Sequence, residues 1–249
     1  MTTASFLYVC VRPQLGAAAA EYESFRTAMH LGEDALDRHD LVRDPLPDDV
    51  FDRYAGFVVG GSPFNVADPE STKTEAQRRL EADLARIAEH TAAGDGPASM
   101  FTCYGIGIAT RTLGGTVSRA FPEDTGPVAI DVTPDAAADP LFGGLADRFT
   151  ALTAHKEGTE NLPRGAVLLA RNESCPVQAY RVGDRLYATQ FHPEPTAKAF
   201  TERMAVYRDD GYFESSDYDA IAGRVLAASI TEPARLLRAF ATRFGDPAR

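Results

Sequence analysis

The chain has 249 residues, 44% of them hydrophobic and 24% charged, which fits one large α/β domain and excludes a long disordered chain. A net charge of −11 and a pI near 4.9 argue against nucleic acid or an anionic membrane as partner, since both would repel this surface. The opening residues lack a basic n-region, no run reaches the roughly 18 apolar residues of a membrane span, and Cys10, Cys103 and Cys175 are odd in number and widely spaced; together these predict a cytoplasmic protein without a disulfide framework.

Residues 6–11 form a short apolar run, as in a buried parallel strand, and an Ala-rich helix is expected over 17–31. A second apolar run, 56–59, closes on Gly60-Gly61-Ser62-Pro63. Residues 72–91 read as an amphipathic helix, with Leu80, Leu84 and Ile87 at helical spacing and an end toward Gly94. Pro97 to Thr102 leads as a strand into Cys103, and helical residues follow up to Leu113-Gly114-Gly115. Four further strands are expected at 128–132, 166–170, 177–181 and 186–190, with Gly183-Asp184 as a hairpin turn between the last two. The rest reads as helices near 196–208, 216–227 and 232–244.

Alternating strands and helices in the first half imply βαβ units. The expected fold is therefore α/β, a three-layer sandwich with a mostly parallel central sheet extended by antiparallel strands and a helical C-terminus. We expect a single domain over 1–249, with a catalytic core at 1–195 and a helical extension at 196–249. The site should lie at the C-terminal ends of the parallel strands.

Three local features bear on chemistry. In Phe101-Thr102-Cys103-Tyr104-Gly105-Ile106-Gly107 a small nucleophile sits between strand and helix, with glycine two residues on, as a nucleophile elbow requires. A helix N-terminus favours thiolate over thiol, yet a buried core cysteine explains Cys103 alone equally well. In Phe191-His192-Pro193-Glu194 the carboxylate is placed to orient an imidazole that takes a thiol proton; a surface histidine beside a turn is the alternative. After the strand at 56–59, consecutive glycines permit backbone N–H groups to face a site, or simply make a tight turn. No G-K-[ST], C-x-x-C or H-E-x-x-H pattern occurs, so neither a phosphate loop, a metal nor another cofactor is expected.

In this order the motifs resemble the class I glutamine amidotransferase family, whose elbow reads roughly G-x-C-x-G-x-Q and whose other strands close on G-G-P and F-H-P-E. Asp139-Pro140-Leu141-Phe142 and Ala154-His155-Lys156-Glu157 extend the resemblance. It implies a triad of Cys103, His192 and Glu194, with an oxyanion hole at the backbone N–H groups of Gly61 and Tyr104. It further implies that Gly60, Gly105, Gly107 and His155 border the substrate, and that the γ-amide of glutamine is hydrolysed through a γ-glutamyl thioester. The sequence departs from the pattern at Gly107, where the family's glutamine would hold the substrate's amino-acid end; Gln178 or Gln190 are possible substitutes.

About 55 residues follow Glu194, too few for an ATP-dependent synthase domain, so any ammonia acceptor is expected to be a separate protein. Tyr207, Tyr212 and Phe213 are candidates to cover the site or meet a partner. Two other readings stay open: a γ-glutamyl amide or peptide hydrolase, favoured by Gly107, and a catalytically silent binding protein on the same fold.

Overall fold

In the computed structural model, residues 5–94, 96–209 and 211–245 are described. The elements run β1 (Phe6–Cys10), α1 (Leu15–Ala28), β2 (Leu36–Asp40), α2 (Val50–Arg53), β3 (Gly56–Val59), α3 (Glu75–Ala92), β4 (Ala98–Thr102), α4 (Tyr104–Thr112), β5 (Thr116–Ser118), β6 (Glu123–Val132), β7 (Arg148–His155), β8 (Gly158–Asn161), β9 (Val167–Arg171), β10 (Ala179–Val182), β11 (Leu186–Thr189), α5 (Ala197–Val206), α6 (Tyr218–Ala227) and α7 (Glu232–Phe244).

Nine strands make one sheet in the order β2-β1-β3-β4-β11-β10-β9-β6-β7, and β5 and β8 pair separately. The first five strands of that order are parallel and the rest join antiparallel. Period-2 alternation distributes β1 over both faces. Phe6, Tyr8 and Cys10 join the core beneath α1 and α7, with Phe25, Leu236 and Phe240. Leu7 and Val9 join Leu80, Leu84 and Ile108 beneath α3 and α4 on the other face. Helix α7 is thus part of the main core, with the Phe240 ring 5.8 Å from that of Phe6. A satellite cluster of Leu152, Phe200, Met204, Ile221 and Val225 packs α5 and α6 over the antiparallel half.

The predicted fold class holds, and the differences are local. Helix α3 starts at Glu75, because Thr74 accepts from the Gln77 N–H and caps it. Four strands, β2, β5, β7 and β8, are not announced by the sequence. Edge strand β2, Leu-Asp-Arg-His-Asp, lacks an apolar run because only Leu36 is buried. The β6–β7 hairpin was read only at 128–132, because Gly126 and Pro127 interrupt β6 where its register shifts.

Candidate active site

Strand β4 ends at Thr102, between β3 and β11, and the chain reverses into α4 at Cys103. Cys103 has φ 53° and ψ −106°, a conformation that costs an L residue about 1–3 kcal/mol and persists only where its surroundings enforce it. Those surroundings are visible. The Cys103 N–H donates to the Thr189 carbonyl at 2.8 Å, and the Thr102 hydroxyl donates to the Val59 carbonyl at 2.8 Å. A Cβ on Gly105 would stand 3.2 Å from Phe101 and 3.3 Å from Val59, so glycine lets the helix sit down on the sheet. Gly105 therefore serves packing and lies outside the lining of both cavities beside Cys103, where the expectation had placed it at the substrate.

The β4–β11 register pairs Thr102 with Thr189, which brings the chain after β11 beside the elbow. There the His192 N–H donates to the Leu152 carbonyl at 2.9 Å, and its Nδ1 meets Glu194 Oε1 at 3.0 Å. Both side chains are buried. Burial alone would lower the imidazole pKa, but the Glu194 carboxylate and Cys103, which hydrogen-bonds the ring, lift it to about 9. Burial pushes the Glu194 carboxyl upward, yet His192 and Arg203 overcome this and hold it well below the usual carboxylate range. With Nδ1 engaged, Nε2 is the nitrogen left for Cys103.

Behind this pair lies a buried charge network that the motifs did not reveal. Arg203 Nη1 reaches Glu194 Oε1 at 2.7 Å and Glu21 Oε1 at 3.1 Å. Glu21 also accepts from Arg12 Nε at 2.9 Å and from the Tyr8 hydroxyl at 2.7 Å, and Arg12 Nη1 donates to the Tyr207 hydroxyl at 2.9 Å. A signal was available: Glu21 shares a helical face with buried Ala17, Ala18 and Phe25, and Arg203 lies beside buried Phe200 and Met204. A charge on an apolar face needs a buried partner.

The network also explains Gly60 and Gly61. A Cβ on Gly60 would fall 2.1 Å from Glu21 Oε2, and one on Gly61 would fall 2.7 Å from Arg12 Nη2 and 2.8 Å from His192 Cε1. The Gly61 N–H donates to Glu21 Oε1 at 3.2 Å. That commitment corrects the oxyanion expectation for Gly61, and Gly60 faces Glu21 rather than a substrate. The next residue, Ser62, borders both cavities beside Cys103. Tyr104 opens α4, where first-turn N–H groups have no intrahelical acceptor, and its hydroxyl is tied to Glu81 at 2.8 Å.

Glu21, His192 and Glu194 bring ligand-type atoms within 4.8 Å of one another, the spacing of a metal site. Two guanidiniums already neutralise these carboxylates, so a cation would meet positive charge there.

Cys103 stands between two cavities. The first, about 40 Å³, has His192, Arg12 and Arg203 in its wall and a mostly apolar remainder that includes Phe200, Met204 and Phe213. The second, about 20 Å³, is polar, with Asn65, Lys156, Glu157 and Gln190 around Gly107. Gly107 lines this cavity, and a Cβ there would touch Val66 at 3.0 Å. Glu157, whose carboxyl burial pushes up, accepts from the Val66 and Ala67 amides at 2.6 and 2.8 Å. His155 also borders this cavity, but its Nδ1 meets the Glu157 carbonyl and its Nε2 meets Glu123, both at 2.8 Å. Both ring nitrogens of His155 are thus held by the protein. Gln178, offered as a substitute for the missing glutamine, donates to Glu123 at 2.6 Å; Gln190 does border the cavity. Among the described residues no helix is long and apolar enough to cross a membrane.

Comparison with known proteins follows these motifs. The family model for Glutamine amidotransferase class-I matches residues 52–206, from the start of the first glycine motif past His192 and Glu194. The chain is 30% identical over 139 residues to a GMP synthase [glutamine-hydrolyzing] of Thermomicrobium roseum, covering 56% of this chain and 23% of that one. It is 29% identical over 164 residues to Gamma-glutamyl peptidase 3 of Arabidopsis thaliana, covering 62% of this chain and 60% of that protein. The chain thus spans about a quarter or less of the GMP synthases it matches first. A glutamine amidotransferase from Thermotoga maritima shares the fold, with a TM-score of 0.76 over 99% of this chain and all of that one, at 18% identity. By its ordered motifs and by the match of more than half its length, the chain belongs to the class I glutamine amidotransferase family.

Proposed function

We propose that the protein hydrolyses a γ-glutamyl amide, glutamine being the simplest, through a thioester on Cys103. The observation that carries this reading is the strained cysteine at φ 53° facing a buried His192 whose Nδ1 lies 3.0 Å from Glu194. Glu194 holds the His192 ring and leaves Nε2 to exchange a proton with Cys103. The thiolate attacks the amide carbonyl carbon, and the oxyanion is received by the Tyr104 and Ser62 N–H groups, each contributing about 2.7–4 kcal/mol to the barrier. As the C–N bond breaks, His192 gives its proton to the leaving nitrogen. It then takes a proton from water, which attacks the thioester and releases glutamate and the thiol. Glu194 keeps the ring oriented and offsets its charge.

With glutamine the product is ammonia, and a separate acceptor enzyme would consume it. The relatives named GMP synthase support that reading. The relative named γ-glutamyl peptidase, and Gly107 in place of a substrate-holding glutamine, support hydrolysis of substituted amides instead. Three buried free thiols suit a reducing, cytoplasmic setting. The test is intact mass after exposure to a glutamine-mimicking diazoketone. A single adduct mapped to Cys103 and prevented by excess glutamine is expected; an unlabelled Cys103 that hydrolyses no amide would sink the proposal.

A further inference from the structure

The division of space around Cys103 says which part of the substrate lies where. In amide hydrolysis the leaving nitrogen takes its proton from His192, so it departs on the side of Cys103 that His192 occupies. His192 borders only the apolar cavity. The acyl portion, with its α-amino and α-carboxylate groups, is then left to the polar cavity of Asn65, Lys156 and Gln190.

Ammonia needs no apolar chamber, and a polar leaving group would desolvate against one at a cost. The chamber is nevertheless built from the chain's own C-terminal segment. Phe200 and Met204 are buried members of the satellite core, with Phe213 packed against it. Tyr207 and Tyr212 meet edge-to-face at 6.1 Å. The nearby guanidinium of Arg12 spends Nε and Nη2 on Glu21 and Nη1 on Tyr207, and Arg203 Nη1 is shared between Glu21 and Glu194. Both cations line the chamber and are charge-paired with Glu21 and Glu194, while Arg203 Nη2 has no hydrogen-bond partner among the described residues.

We infer that the leaving nitrogen carries an aliphatic chain, so that the preferred substrates are γ-glutamyl alkylamides, cleaved to glutamate and a primary alkylamine. The inference rests on the thioester reading of Cys103 and adds the identity of the leaving group. Atoms balance as in glutamine hydrolysis: the C–N bond breaks, the amine leaves with the His192 proton, and one water is consumed.

The experiment compares kcat/KM of the full chain for glutamine, γ-glutamyl-n-butylamide and γ-glutamylalanine, with released glutamate as readout and Cys103→Ala as blank. The butylamide should exceed each of the others by about tenfold or more, since each buried methylene favours it. In Phe213→Ser the butylamide-to-glutamine ratio should shrink severalfold; a ratio within one variant does not depend on how much of it folds. Glutamine turned over as fast as the butylamide would overturn the inference and leave the thioester reading standing. Preference for γ-glutamylalanine would overturn it in favour of a peptidase. Turnover that Cys103→Ala retains, or none on any amide together with an unlabelled Cys103, would remove the thioester reading and the inference with it.

Discussion

Two buried histidines, each beside a buried glutamate, border the cavities around Cys103, and their surroundings set them to different work. His192 gives Nδ1 to Glu194 at 3.0 Å and keeps its other nitrogen for Cys103. His155 gives one nitrogen to Glu123 and the other to the Glu157 carbonyl, both at 2.8 Å. The glutamates differ in parallel. Glu194 is compensated by Arg203, which Glu21 also holds, so the triad carboxylate belongs to a network spanning α1 and α5. Glu123 is satisfied by His155, Asn172, Ser174 and Gln178; burial would raise its carboxyl, but these bonds bring it down to about 2. A histidine is available for catalysis when one nitrogen stays uncommitted, and burial beside a carboxylate does not by itself decide that.

The sharpest way to break the contrast is to remove each histidine in turn, starting with the proposed catalytic one. His192→Ala should lower kcat/KM for amide hydrolysis by about 10⁴-fold or more, as loss of a triad member does. Retention of a tenth of the activity would end the assignment.

Arg203→Met leaves Glu194 and Glu21 with less compensation inside the protein. Breaking a buried pair costs about 3–5 kcal/mol of stability, visible in urea unfolding. We expect kcat to fall about 10- to 100-fold while KM moves little, because Arg203 acts through Glu194. A rise of equal size in KM, with kcat unchanged, would place Arg203 on the substrate instead.

The pH profile sharpens the same comparison. His192 is raised from the ordinary 6.5 to about 9, so its proton is present at neutral pH and lost as pH rises through about 9. Activity should therefore drop on the alkaline side by about tenfold per pH unit beyond that point. Stability follows the same sign: the contribution of His192 is complete below about 6.5 and disappears as pH climbs through about 9. An alkaline limb centred near neutrality would contradict the ion pair with Glu194.

The smallest effect on chemistry is expected for His155→Gln. It deprives Glu123 of one donor and should cost about 1–3 kcal/mol of stability, read as a Tm lower by several degrees. The kcat/KM of the folded fraction should stay within about threefold of the parent. A hundredfold loss without destabilisation would return His155 to the site.

Much of this was legible in the sequence. Local signals carry through to structure when the residues responsible are neighbours in the chain. The apolar runs at 56–59 and 98–102 became buried parallel strands, and a cysteine followed by Gly105 marked the turn into α4. The interval between His192 and Glu194 is short enough for a direct hydrogen bond, and the structure contains it. Ordered along the chain, these signals were enough to indicate the family.

Tertiary structure alone decided which partners meet across the fold. Glu21 and Arg203 are 182 positions apart, and no local pattern announces their pairing with each other and with Glu194. The Gly61 N–H, read from sequence as an oxyanion donor, goes to Glu21, 40 positions away, and Gly60 and Gly61 leave room for buried side chains of that network. The apolar chamber draws on β7 and the C-terminal segment, which sequence periodicity treats as unrelated. The physical reason is the same each time. Sequence encodes what a residue offers its neighbours along the chain, whereas the choice among buried partners is made by which long-range contacts compensate the buried charges.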